Sequence, residues 1–270
     1  MDIADFHALR PGNAPSPDGS TVVLSVRELG TVRVPSGHLG ACDPFVALDT
    51  PLVVEVPPGD HRVVVTIADV SSEHDGSHLR EAYLSVIVAD GDVASVDGAP
   101  LLGRTPDPGD AFGIGVDTGT VGFVDADAVA ASMPEDPDWY DAVFDNGEPG
   151  SWFSQMDAGS PLPTGTANIV MPRASAGQNV VLSHSGWGDG AYPLLRTLDA
   201  GGTLLGIHID LLVAGPLDDE ATADPDDEAT ADLDDGATTG SDDETAVSSD
   251  ETGADRDRQP RSWLRRLFGR

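Results

Sequence analysis

The sequence predicts a mainly-β domain, an antiparallel sandwich or barrel-like fold with a short helical insert, followed by a disordered acidic C-terminal tail. Three observations carry this prediction. Short runs rich in Val, Ile and Leu alternate with polar residues at a period of two. The 31 glycines and 21 prolines fall mostly at the ends of those runs, where turns need them. Only one stretch reads as helix, which leaves no regular βαβ alternation.

In chain order the expected strands are 22–26, 32–34, 52–56, 62–68, 81–88, 114–116, 121–124, 169–171, 180–183, 192–198 and 204–212. The last two flank Asp199-Ala200-Gly201-Gly202, whose Asp and Gly residues favour a hairpin turn. In the helical insert Asp125 caps 126–133, and Asp136-Pro137 opens a second helix with Pro at its first position. Trp139/Val143 and Tyr140/Phe144 lie four apart there and give that helix a face to bury.

The chain divides into three by composition. Residues 1–215 form the β domain. Residues 216–255 repeat an acidic octad (DDEATADP, DDEATADL and degenerate copies), and one-signed charge with little apolar content predicts a disordered linker. Residues 256–270 reverse the sign with six Arg and end in PRSWLRRLFGR. In a helix, Trp263, Leu264, Leu267 and Phe268 of this basic amphipathic motif share one stripe. A groove on a protein, or the acidic body itself, suits that stripe better than lipid, because the negative linker opposes approach to anionic membranes.

Charge and composition exclude several function classes. The net charge is −33, with 47 acidic residues against 14 basic ones, all Arg. Nucleic-acid binding needs a basic surface, so it is not expected. A single cysteine, Cys42, rules out an internal disulfide and a Cys-rich zinc site; with no basic neighbour it reads as a buried inert thiol. No apolar run approaches the roughly 20 residues that span a bilayer. The acidic start has no signal-peptide pattern, so a cytoplasmic protein is the expectation.

The densest candidate site is LSHSGWGDGAYP at 182–193. Its alternating glycines lack the following helix that a phosphate cradle needs, and Asp189 would repel phosphate. The preferred reading is a structural turn, with Asp189 accepting backbone N–H bonds and Trp187 in the core. The functional alternative exposes Trp187, Asp189 and Tyr192 as a binding loop. A second candidate is FGIGVDTGTVGFVD at 112–125. Paired as a hairpin, its two strands would set Asp117 and Asp125 at neighbouring edges. With Asp189 these carboxylates would offer oxygen ligands to Mg²⁺ or Ca²⁺, or an acid/base pair. Against that, Asp before a turn and Asp at a helix start are ordinary structural uses. His74 and His78 have the gap of a zinc pair but no further ligands, and His208 with Asp210 reads as a satisfied pair rather than a dyad. No cofactor is expected beyond that alternative divalent cation.

Six motifs occur in an order seen in one bacterial family. They are SGHLGACDPFV (36–46), VPPGDHRVVV (56–65), REAYLSVIV (80–88), GIGVDTGTVGFVD (113–125), SGWGDGAYP (185–193) and LDAGGTLLGIHID (198–210). Over roughly 32–212 the chain resembles the family catalogued as domain of unknown function 4241. It departs from that pattern at Asp60-His61-Arg62 and at Asp210-Leu211. The resemblance implies a fold and motif positions, not an activity. The expected function is therefore a non-catalytic binding domain presenting an acidic surface to a basic protein partner. The alternative is a metal-dependent or acid/base hydrolase using Asp117, Asp125 and Asp189.

Overall fold

The computed structural model describes residues 1–135 and 138–216. The acidic octads, the terminal motif with Trp263, Leu264, Leu267 and Phe268, and the expected Asp136-Pro137 helix start lie outside the described residues.

Two antiparallel sheets build the domain. In the larger, β1 (Gly12–Pro15), β2 (Thr21–Val34), β5 (Gly59–Asp69), β6 (Leu79–Ile87), β13 (Leu204–Asp210), β12 (Gly190–Leu198) and β7 (Ser95–Gly98) lie side by side in that order, and β8 (Phe112–Val116) also pairs with β12. This sheet curls into a half-barrel. The smaller runs β10 (Thr166–Val170), β11 (Asn179–His184), β9 (Thr120–Asp125), β3 (His38–Cys42) and β4 (Leu52–Glu55). The structure is thus the mainly-β, antiparallel two-sheet fold that the period-two pattern predicts.

Alternation along each strand assigns the layers. On β9, Val121 and Phe123 join the core shared with Val63, Val65, Leu84 and Ile207 of the larger sheet. Val124, next along the strand after Phe123, points the other way into a second cluster with Phe45, Met133, Phe144, Trp152 and Met156. The smaller sheet is therefore covered on both faces. That is why β3, with four of its five residues buried in succession, shows no alternation and escapes a period-two reading.

One expected break is missing, because the runs 22–26 and 32–34 are parts of the single strand β2. The register slips between Glu28 and Gly30, and Gly30 takes φ +91°. A side chain at Gly30 would begin 2.8 Å from Asn168 Nδ2, which itself donates to the Leu29 carbonyl at 2.8 Å. Glycine is required there twice over, for its backbone and for the approach of β10.

The helical insert differs from expectation in its second half. Asp125 does cap, accepting the N–H groups of Asp127 and Ala128 ahead of α1 (Val129–Ser132). The second helix is a single π turn, Tyr140–Phe144, closed by Asp145 N–H on the Tyr140 carbonyl at 2.8 Å. Closure five residues on widens the turn, so residues four apart no longer stack. Phe144 is buried while Tyr140 stands 52% exposed. A further helix, α2 (Trp152–Asp157), begins at Ser151, whose hydroxyl accepts the Ser154 N–H at 3.2 Å. Trp152 and Met156, four apart, supply its buried face.

The outer face of the larger sheet is covered by the chain's own start. Phe6 meets the Tyr83 and His208 rings edge-on at 5.6 and 4.9 Å, and the Leu9 N–H donates to the Thr66 hydroxyl at 3.1 Å. No described helix is long and apolar enough to cross a membrane.

Candidate functional site

The glycine-rich motifs meet at one corner, and a buried carboxylate outside both of them organises it. Asp43 is fully buried after β3. It accepts the N–H groups of Phe45, Asp117 and Thr118 at 3.0, 3.0 and 2.9 Å, and the Thr118 hydroxyl at 2.8 Å. A carboxylate buried with this many donors has its hydrogen-bonding capacity satisfied. Burial, and next the adjacent Asp43 charge, raise the Cys42 thiol far above its ordinary pKa, so Cys42 is the inert buried thiol expected.

The clamp explains why the hairpin expected from GVDTGTVG is not made. β8 pairs with β12 in the larger sheet, whereas β9 pairs with β11 and β3 in the smaller. Residues 117–119 are a crossing between sheets, pinned from below by Asp43. Asp117 and Asp125 consequently do not lie at neighbouring edges. Asp117 is exposed at the start of the crossing. Asp125 lies five residues beyond Thr120, roughly 17 Å along an extended strand. There it is 1% exposed and accepts the N–H and hydroxyl of Ser36 at 3.1 and 2.8 Å besides its capping bonds.

Asp189 does reach the crossing, accepting the Gly119 N–H at 3.1 Å. Asp117 and Asp189 therefore share a corner that Asp125 does not. Among the described residues, no three His, Cys, Asp or Glu side chains are placed to hold a metal ion. His74 and His78 are both exposed in a loop. His208 and Asp210 are each satisfied elsewhere. The imidazole engages the Ser85 and Thr197 hydroxyls at 2.9 and 3.0 Å, and Asp210 accepts the Leu212 N–H at 2.9 Å.

The SGWGDG loop divides between structure and surface. Tyr192 is buried, and its hydroxyl and that of Ser185 both donate to the Gly188 carbonyl at 2.7 Å. Burial raises the Tyr192 pKa. Gly186 has φ +70°, and a side chain there would begin 2.7 Å from the Glu81 carbonyl, so the loop sits directly on β6. Trp187 is not in the core: it is 47% exposed, with the Arg80 guanidinium 5.2 Å above its ring. Two glycines of positive φ, 186 and 188, turn the segment outward between them.

Near Gly165 the structure brings together two residues that the sequence reading passed over. Glu81 is 8% exposed, and His184 ends β11 at the surface. Their Oε1 and Nδ1 atoms lie 3.1 and 2.5 Å from the one point where a Gly165 side chain would begin. Burial raises the Glu81 carboxyl above the ordinary range, against its own backbone N–H and the nearby His184 and Arg80. Leu212, 37% exposed, holds φ +57° on the stretch that continues β13 past Glu81's neighbour Ala82. The available signal was Glu81 itself, a carboxylate within an otherwise apolar strand pattern.

Fold and corner together define a two-sheet antiparallel β domain whose motif residues mostly brace a crossing between sheets and whose exposed side chains are aromatic and charged. The chain belongs to the family described as protein of unknown function (DUF4241), whose model matches residues 32–209. No curated protein and no solved structure matches it.

Proposed function

We propose that this domain is a non-catalytic binding module that presents an acidic surface to a basic protein partner. The observation that carries this reading is the charge of residues 1–217, which hold 30 acidic residues against 8 Arg. Five exposed aspartates, Asp90, Asp92, Asp97, Asp107 and Asp110, lie on β7 and the loops flanking it, at one edge of the larger sheet. Charges on an edge strand also guard against unwanted strand pairing. Together they make a field that speeds encounter with a cationic surface. Trp187 with Arg80 supplies the kind of anchor on which interface energy concentrates. A cytoplasmic setting belongs to the same proposal, supported by a lone buried cysteine that forms no disulfide.

The test is capture from the native lysate at low and high salt, with wild type, Trp187→Ala and a variant carrying Asn at positions 92, 97, 107 and 110. The reading expects one basic protein, released by salt and lost in both variants. Capture that ignores salt and both variants overturns it.

For the hydrolase alternative, Asp125 is engaged in capping and in bonds to Ser36, and among the described residues no three His, Cys, Asp or Glu side chains are placed to hold a metal ion. What supports an acid/base reading is the Glu81–His184 pair, where a carboxyl of raised pKa stands near an imidazole. Hydrolysis of chromogenic esters, phosphomonoesters or glycosides, abolished by Glu81→Gln and by His184→Ala, would carry it; an inactive wild type across that panel removes it.

A further inference from the structure

Far from the motif corner, the outer face of the larger sheet holds a cavity of about 250 Å³. Cross-strand register places its walls. Val26 lies opposite Thr66, Val64 opposite Ser85, Ser85 opposite His208 and Arg62 opposite Ile87, so these side chains share one face of the sheet. Leu9 of the N-terminal segment and the loop at 89–93 close the sides. That loop packs tightly: a side chain at Gly91 would begin 2.8 Å from Leu205 Cδ2.

Three features limit what fits. The walls are mainly aliphatic: Leu9, Val26, Val64, Ile87, Val93 and Leu205. The polar groups within, His208 and Thr197, bond each other at 3.0 Å, and His208 bonds Ser85 as well, so they ask nothing of an occupant. Finally, Arg62 and Asp90 both line the cavity, yet among the described residues neither takes part in an ion pair. A cation and an anion on one small, mainly aliphatic cavity, with no ion pair between them, form a complementary pair of contacts for a ligand that carries both charges.

We propose that this cavity binds an apolar α-amino acid as its zwitterion, the carboxylate toward Arg62, the ammonium toward Asp90 and the aliphatic side chain over Val26, Val64 and Ile87. Size agrees: the volume is below the roughly 300–1,000 Å³ of pockets that hold drug-sized ligands. Arg offers a planar fork suited to a carboxylate. A singly charged ligand would meet only one of Arg62 and Asp90, which is the basis of discrimination against it.

The experiment is calorimetric titration of the full-length protein with L-leucine, beside 4-methylpentanoate, which lacks the ammonium, and 3-methylbutylamine, which lacks the carboxylate. L-Leucine is expected to bind, to raise the melting temperature with concentration, and to outcompete each analogue by roughly tenfold or more, the effect of one lost charged contact. Arg62→Gln and Asp90→Asn change exposed side chains and keep the fold, checked by circular dichroism, and each should weaken L-leucine by a similar factor. Absence of L-leucine binding overturns the proposal. So does an analogue that binds as tightly as L-leucine, or unchanged affinity in both variants.

Discussion

Asp43 holds Thr118 by both its backbone and its side chain, accepting the N–H at 2.9 Å and the hydroxyl at 2.8 Å, across 75 residues of sequence. This contact sends β8 into one sheet and β9 into the other. The cysteine-containing motif and the GVDTG motif thus meet through a carboxylate here, as they do again where Asp125 accepts from Ser36.

Asp43→Ala should therefore be among the most damaging single substitutions in the domain. It strands buried N–H groups of Asp117, Thr118 and Phe45 without an acceptor. The expected cost is about 3 kcal/mol or more. Asp43→Asn keeps the shape but turns an amide toward those donors and should recover only part of the loss. Urea unfolding of both variants checks this order; wild-type stability in the alanine variant contradicts it.

Although all six of its residues are buried and it shows no alternation of burial, strand β9 was legible as a short apolar run between turn residues. The connection between β8 and β9 was not. Residues 117–119 have the composition of a hairpin turn, and nothing local shows that a carboxylate 74 residues earlier will seize it. Trp187 was misjudged for a related reason. An aromatic ring between glycines reads as core, but positive φ at both neighbours swings it outward. The capping role of Asp125 was legible, because a cap is a local bond, whereas its bonds to Ser36, 89 residues away, were not.

Glu81 sets a pH dependence opposite to that of most carboxylates. Its folded-state pKa is raised, chiefly by burial, so the protonated form suits the fold and the ionised form burdens it. Stability from this group is complete below the ordinary Glu value of about 4.3 and is lost as pH rises through the folded value. Glu81→Gln removes the titration. Its melting temperature should exceed that of wild type at pH 8, and the two should converge near pH 4. A variant less stable than wild type at pH 8 would mean that ionised Glu81 is a favourable partner of His184 and Arg80.

His208 acts with the reverse sign. Burial lowers its pKa from 6.5 to about 3, and the Ser85 and Thr197 hydroxyls occupy both ring nitrogens. The unfolded chain binds a proton below pH 6.5 that the folded chain refuses until about pH 3, so stability falls with pH across that window. Between pH 7 and 5.5 the loss from this residue is roughly 1 kcal/mol. His208→Gln will be less stable at pH 7, yet its stability should slope less over that range. Parallel slopes for the two proteins would show that another group carries the acid sensitivity.

Trp187 and Asp189 sit two residues apart in one loop and should respond differently to removal. Asp189 braces the crossing through the Gly119 N–H, so Asp189→Ala should cost about 1 kcal/mol, the value of one partly exposed hydrogen bond. Trp187 is 47% exposed and meets Arg80 over its ring, a contact worth about 0.5–1 kcal/mol at such a site. Trp187→Ala should therefore shift the unfolding midpoint little. Partner capture separates them further, because a surface anchor loses binding far out of proportion to its effect on stability, whereas a brace loses both together. A Trp187→Ala protein destabilised by about 3 kcal/mol, the usual cost of emptying a core aromatic site, would show that the ring supports the fold, and the binding reading would lose its anchor.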